Sequence, residues 1–293
     1  MFGTKRRSPS PTFLLGLGAQ KAGTTWLHAY LDRSPQFDGG YFKEYHVLDA
    51  IDLDYPSAAR RAFDGAIAAA ERGLRGEEIG PRHLHRAAMI ADTRVYYDYF
   101  STLAHADPEV RLTADYTPIY ALLPQRRLEE VRAEVSRRGM RPAAMFLMRD
   151  PVERIYSQIR MRARDVPENL GADAETMLLK WHRKEIYASR SRYEDTIRRI
   201  DATFPEEDAY FGFYEELFTR DTVQDICRFL GIDMIEPDFA ERKNVSSPRS
   251  DDGPDAATLR KVARSLRPTY EFVAERFPDR DIRALWPNAH YVL

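Results

Sequence analysis

Residues 13–27 read FLLGLGAQKAGTTWL, and this stretch decides how the rest of the chain is read. Residues 12–17 carry no charge and are mostly bulky or β-favouring, which suits a strand covered on both faces of a sheet. Gly16, Gly18 and Gly23 then break that strand into a glycine-rich turn. A helix is expected from Thr24 or Thr25 to about Arg33, with Trp26, Leu27, Tyr30 and Leu31 on its apolar side and Pro35 just past its end. A strand, a glycine-rich turn and a helix in this order can hold an anion. Glycine lets backbone amides approach closely, and the open N–H groups of the helix start favour negative charge. Lys21 adds a mobile cation, and Thr24 and Thr25 add hydroxyl donors. The same residues also fit a tight turn with a surface lysine. The ordinary nucleotide loop, G-x-x-x-x-G-K-[ST], is not matched, because Lys21 precedes Gly23 by two residues. That counts against an ATP-dependent kinase without excluding one.

Outward from this unit, strands alternate with helices. Residues 57–75 read as an alanine-rich helix, 83–103 as one aromatic-rich helix, and 110–114 as a short strand running into Asp115-Tyr116-Thr117-Pro118. Leu128, Val131 and Val135 mark another helix. Residues 143–148 form the second buried strand, ended sharply by Arg149-Asp150-Pro151, and a helix opens over 152–161. Residues 177–204 read as long and mostly helical, in one or two pieces, with a further strand at 210–213. Val223, Ile226, Cys227 and Leu230 form one helical face closed by Gly231. Residues 244–254 read as a polar loop, Leu259 to Leu266 begins a final helix, and the tail over 282–293 packs on the body. The pattern predicts an α/β fold with a mostly parallel sheet: a loose tail over residues 1–11, then a single domain over 12–293. Ligands in such folds bind outside the carboxyl ends of the strands.

Composition narrows the function classes. The 293 residues carry 44 Lys plus Arg against 46 Asp plus Glu, a formal net charge of -2. This excludes a broadly basic nucleic-acid coat but leaves room for a local basic pocket. At 43% hydrophobic residues the chain is not disordered throughout. The lone Cys227 excludes an internal disulfide framework and a four-cysteine zinc site. His28, His83, His85 and His105 form no recognised metal pattern, so no metal is expected. Lys5, Arg6 and Arg7 look like the start of a signal peptide, but Gly16, Gly18, Gln20 and Lys21 interrupt the apolar core that should follow. No apolar run approaches the roughly 20 residues a bilayer needs. The expectation is a cytoplasmic protein with no stable membrane insertion.

A second anion signal lies at Arg149-Asp150-Pro151-Val152-Glu153-Arg154-Ile155-Tyr156-Ser157. Arg149 sits where a buried strand ends, and Ser157 stands about two turns into the following helix. An arginine fork and a compact hydroxyl suit a second phosphate. An arginine paired with Asp150 or Glu153 and an ordinary helical serine fit as well.

Together these motifs resemble a sulfotransferase that uses 3'-phosphoadenosine 5'-phosphosulfate (PAPS). Residues 13–27 resemble the 5'-phosphosulfate loop of that superfamily. Residues 146–157, FLMRDPVERIYS, resemble its 3'-phosphate site, and 213–232 resemble its late region. The likeness runs in order over about residues 12–232 and is nearest the bacterial and carbohydrate-modifying (heparan sulfate type) branch. It implies a P-loop-like three-layer α/β sandwich, with helices flanking a central, mostly parallel sheet. It also implies transfer of a sulfuryl group from PAPS to a hydroxyl on a sugar, lipid or natural product, leaving 3'-phosphoadenosine 5'-phosphate. By resemblance, Lys21, Ala22, Gly23, Thr24, Thr25 and Trp26 belong to the first phosphate region, and Arg149 and Ser157 to the 3'-phosphate. Arg154 is either nearby or a surface charge.

Lys43-Glu44-Tyr45-His46 is weak on composition alone, since a Lys-Glu pair usually lies on a solvated surface. The carbohydrate-modifying branch has such a pair after the first helix, with glutamate as catalytic base. The resemblance therefore points to Glu44 as base, with Lys43 or Lys21 offsetting charge on the leaving group and His46 as the alternative base. The segment from Asp115 to Tyr120 resembles the part that lines the acceptor side. It departs from the branch, which carries Glu-Lys where Asp115 and Tyr116 stand. Tyr193 fits the region against the adenine-bearing nucleotide, or a core position. Lys243 fits the late cofactor-covering loop, although the strict Arg-Lys-Gly motif is absent. A kinase and a non-catalytic nucleotide-binding module remain the rival readings.

Overall fold

The computed structural model describes residues 10–53, 56–165, 174–240 and 253–293. Strands β1 (Thr12–Gly16), β2 (Leu112–Asp115), β3 (Arg141–Met148) and β4 (Ala209–Phe213) pair in parallel, in the order β2-β1-β3-β4. Every residue of β1 and β2 is buried. That is why both strands read as unbroken apolar or small-polar runs without alternation.

Helices α1 (Thr24–Leu31), α2 (Leu48–Asp52), α3 (Pro56–Leu74), α4 (Arg82–Ala91) and α5 (Thr93–Ala106) lie between β1 and β2. Helix α6 (Gln125–Arg137) leads to β3, and α7 (Pro151–Asp165), α8 (Ala174–Trp181), α9 (Glu185–Ala188) and α10 (Tyr193–Thr203) lead to β4. Helices α11 (Arg220–Leu230), α12 (Ala256–Ser265), α13 (Arg267–Arg276) and α14 (Ile282–Leu285) follow. The result is the expected α/β sandwich: a central parallel sheet flanked by helices.

Chain order places the site. From β1 the chain crosses to β2 on one side of it, then returns to β3 on the other. The carboxyl ends of β1 and β3 are therefore the switch point where a crevice opens. Pairing continues beyond the strands, with Ala19 N–H donating to Leu147 O at 2.6 Å and Leu147 N–H to Gly18 O at 2.8 Å. The glycine-rich turn and the Arg149-Asp150-Pro151 turn thus leave the sheet side by side.

Three readings of the elements need correction. The single helix expected over 83–103 is two, because Asp92 is extended and caps α5 through the Arg94 N–H. The long helix expected over 177–204 is split at Lys184, which is extended, and again at Arg192. The final helix breaks between α12 and α13, where Pro268 opens the second piece. The tail packs as expected: Trp286 is wholly buried against Tyr193, Phe213 and Tyr270.

Candidate active site

The glycine-rich loop after β1 is shaped by backbone needs. Gly23 opens α1 at φ 83°, in the left-handed region, and a Cβ there would lie 2.5 Å from the Leu217 side chain. The N-cap Gly23 makes no side-chain cap bond, so the first-turn N–H groups of α1 have no capping acceptor there and could serve an anion. Lys21 reaches across toward α7, its Nζ 3.7 Å from Met161 Sδ. Gly16 cannot be larger, since a Cβ would sit 2.4 Å from the Tyr116 ring.

Opposite it, Arg149 is fixed from three sides. Its Nη1 donates to Lys21 O at 3.2 Å, its guanidinium lies 4.5 Å from the Tyr214 ring centroid, and Glu153 is 3.6 Å away. Asp150 caps α7 through the N–H groups of Val152 and Glu153. It also accepts from Tyr270 OH and the Asn288 N–H, which binds the C-terminal segment beneath this turn. Ser157 lies further along the same helix, 6% exposed.

The third wall is the loop after α1. Lys43 Nζ donates to Glu44 Oε1 at 2.7 Å, and it lies 3.1 Å from Thr25 Oγ1 and 3.3 Å from Thr24 Oγ1. His46 Nε2 is 3.4 Å from Glu44 Oε2, while its Nδ1 is 2.9 Å from Asp49 Oδ2. Burial would push the Glu44 carboxyl up, but the His46 hydrogen bond and the Lys43 charge outweigh it and hold the group at about 2. Burial would lower His46, but its bonds to Asp49 and Glu44 raise it to about 9. At neutral pH the loop therefore holds a carboxylate between two cations.

What keeps this loop in place lies beneath it. Asp115 ends β2, is wholly buried, and accepts from Thr117 Oγ1 at 2.6 Å, Tyr120 OH at 2.7 Å, Tyr96 OH at 3.0 Å and the Tyr45 N–H at 3.3 Å. Tyr120 OH in turn accepts from the N–H groups of Val47 and Leu48. The segment from Asp115 to Tyr120, expected at the acceptor, is buried throughout and supports the loop from below.

A lysine-bearing turn, an arginine-bearing turn and the loop that carries Lys43, Glu44 and His46 thus meet over one switch point. A sulfotransferase family model matches residues 11–236. The chain belongs to the sulfotransferase family. Among solved structures, a sulfotransferase from Alicyclobacillus acidocaldarius is similar at 19% identity and a TM-score of 0.61, covering 94% of this chain and 98% of that one. That likeness carries the fold, an α/β three-layer sandwich. The sulfotransferase domain of the Synechococcus PCC 7002 olefin synthase matches at 17% identity over 90% of this chain and 96% of its own, TM-score 0.45. A mouse sulfotransferase complexed with PAP matches at 17% over 97% and 90%, TM-score 0.44. A search of curated proteins gives no match.

Four other residues singled out from the sequence each take a different place. Trp26 turns its indole inward, stacking on Tyr30 and Phe239, so only its backbone can serve an anion at this helix start. Tyr193 takes the core position rather than an open platform: it is wholly buried, and its OH donates to Arg149 O at 2.8 Å. Lys243 lies outside the described residues. Arg154 is neither loose nor at the surface but buried in α7. Sequence reasoning missed Asp49, although its place three residues after His46, on the helix start, was a usable signal. Among the described residues no helix is long and apolar enough to cross a membrane.

The His46 environment has a consequence for stability. Its folded pKa is raised to about 9 from the ordinary 6.5, so its contribution is complete below 6.5 and is lost as pH rises through 9. Glu44 is depressed, so its contribution persists above its ordinary value of 4.5 and is lost only as pH falls toward about 2. Urea unfolding of wild type and His46→Ala should therefore show a difference on the order of 2 kcal/mol at pH 6 that shrinks by pH 9.5. A difference constant over that range would mean that the Asp49 and Glu44 contacts do not hold the imidazolium.

Proposed function

We propose that this chain is a PAPS-dependent sulfotransferase that moves the sulfuryl group to the hydroxyl of a small-molecule or carbohydrate acceptor, with Glu44 as general base. The observation that carries this reading is Lys43 Nζ, which touches Glu44 and both threonine hydroxyls of the donor loop. It brings the candidate base and the anion loop to one point, which an in-line displacement requires. PAPS would supply an activated sulfuryl group on a phosphate leaving group.

The chain's own residues divide the work. Lys21, Ala22, Gly23, Thr24, Thr25 and the backbone of Trp26 hold the 5'-phosphosulfate end at the open start of α1. Arg149 and Ser157 hold the 3'-phosphate. Glu44 takes the acceptor proton at the oxygen not bound by Lys43. As Lys43 turns its charge to the bridging oxygen, with Lys21, it loosens its hold on Glu44, and the His46 contact at Oε2, the larger depressing influence, opens to the acceptor hydroxyl before the carboxylate takes the proton. Catalysis by positioning and fixed charge parallels phosphoryl transfer. A kinase would need a magnesium ligand, and the Asp115 carboxylate at the end of β2 is already taken up by four protein donors, which does not favour that reading.

The test is incubation with labelled PAPS and a panel of sugar, lipid and natural-product hydroxyls, read by mass spectrometry. The expected product gains about 80 Da, one SO3 group, in line with the proposed reaction class. Arg149→Ala should weaken 3'-phosphoadenosine 5'-phosphate by roughly tenfold or more while changing adenosine 5'-phosphate little. Phosphorylated products formed only with ATP would restore the kinase. Tight nucleotide binding with no product across the panel would leave a binding module.

A further inference from the structure

Arg154 lies wholly buried on α7, and its three hydrogen bonds go to neutral oxygens. Nε donates to Ser191 Oγ at 2.9 Å, Nη1 to Gln158 Oε1 at 2.9 Å and Nη2 to Tyr187 O at 2.8 Å. Among the described residues no carboxylate stands within ion-pair distance of it. The charged side chains acting on it are Arg190 and Arg149, both of its own sign, and burial lowers its pKa to about 10. A buried cation without a counterion is costly, and like charges nearby add to the cost.

The arrangement around it points to where the missing negative charge belongs. Ser157 and Gln158 follow at three and four positions, on the same helix face as Arg154. Arg149 stands at the end of β3. Arg190 lies in the turn that Arg154 binds, and its Nη1 donates to Gln20 Oε1 of the donor loop at 2.7 Å. Arg149 and Arg190 thus act on Arg154 from two other segments, and Arg154 ties its own helix to the turn that carries Arg190.

We propose that Arg154 is a specificity-determining positioning residue whose buried charge is balanced by a dianionic phosphate seated at Arg149 and Ser157. It acts on the ligand through its field and through the turn after α9, without touching it. The inference rests on the nucleotide reading above. It adds that discrimination between a nucleotide with a 3'-phosphate and one without is set partly by a residue beneath the pocket.

Calorimetry with 3'-phosphoadenosine 5'-phosphate and adenosine 5'-phosphate tests this, on the full chain, for wild type, Arg154→Met and Arg154→Lys. Wild type is expected to favour the doubly phosphorylated ligand. Arg154→Met should lower that affinity ratio by about tenfold, the effect of removing one unit charge close to a dianion. Arg154→Lys, which keeps the charge with fewer bonds, should retain most of the ratio. The unliganded melting temperature of Arg154→Met should match or exceed wild type, because a buried unpaired charge has gone. An unchanged ratio in Arg154→Met, with or without a lower melting temperature, would mark a merely structural arginine and overturn the proposal. Equal losses in both variants would assign the effect to packing and overturn it too. Equal affinities in the wild type would sink the nucleotide reading itself, before any variant is compared.

Discussion

Glu44→Gln is expected to lower turnover by roughly 10²–10⁴-fold, the usual loss when a general base is removed, while cofactor affinity stays near wild type. The amide is nearly isosteric and still accepts a hydrogen bond from Lys43 through its oxygen. It cannot take the acceptor proton. The bonds that hold the glycine-rich loop, from Arg149 to Lys21 O and between Leu147 and Gly18 and Ala19, do not pass through Glu44. The measurement is turnover at saturating PAPS and acceptor, paired with nucleotide binding. Near-normal turnover in Glu44→Gln would reject it as base. His46→Ala is expected to have the smaller effect, because an imidazolium held between Glu44 and Asp49 is already protonated near neutral pH. A collapse in that variant with binding intact would transfer the role to His46.

Asp115→Ala is expected to damage both stability and turnover. The carboxylate satisfies three hydroxyls and the Tyr45 N–H, all buried. Leaving such donors unmet costs about 1–3 kcal/mol each before relaxation, so a net loss of about 3 kcal/mol is expected in urea unfolding. The kinetic effect follows from Tyr45, which stands between Glu44 and His46. Freed from Asp115, the loop drifts, and a misplacement of about 1 Å can cost on the order of 10²-fold in rate. Because the donor loop and Arg149 are untouched, nucleotide affinity should hold. Asp115→Asn, which keeps one acceptor oxygen, should show smaller losses in the same direction and gives a reading if the alanine variant does not fold. Wild-type turnover in a folded Asp115→Ala would show that the loop needs no support from β2.

Much of the fold was legible because its signals are local. The uncharged β1, the sharp end of β3 at Arg149-Asp150-Pro151 and the helical face closed by Gly231 each lie within a few residues of chain. The failures share a physical cause. The single aromatic-rich helix expected over 83–103 gives no local sign of what its aromatics pack on, and the fold buries Tyr96 and Phe100 against Phe13 and Tyr45. The segment over 177–204, expected as a helix in one or two pieces, keeps a helical composition throughout. It is interrupted where Arg154 binds Tyr187 O and Ser191 Oγ, from a helix more than thirty positions earlier.

The sequence by itself determined the sulfotransferase family, the order of strands and helices, and the short motifs from Lys21 to Thr25, at Lys43-Glu44 and at Arg149. Those depend on residue types at fixed short spacings, which the chain displays without being folded. Only the tertiary structure decided that Lys43 joins Glu44 to the donor-loop threonines, with Thr25 18 positions away. It also decided that Asp115 supports Tyr45 across 70 positions, and that Asn288 anchors Asp150 across 138. The reason is that a parallel sheet brings distant segments together at its carboxyl edge. Which buried donor meets which acceptor there is set by strand order and side-chain packing, and spacing along the chain carries no trace of either.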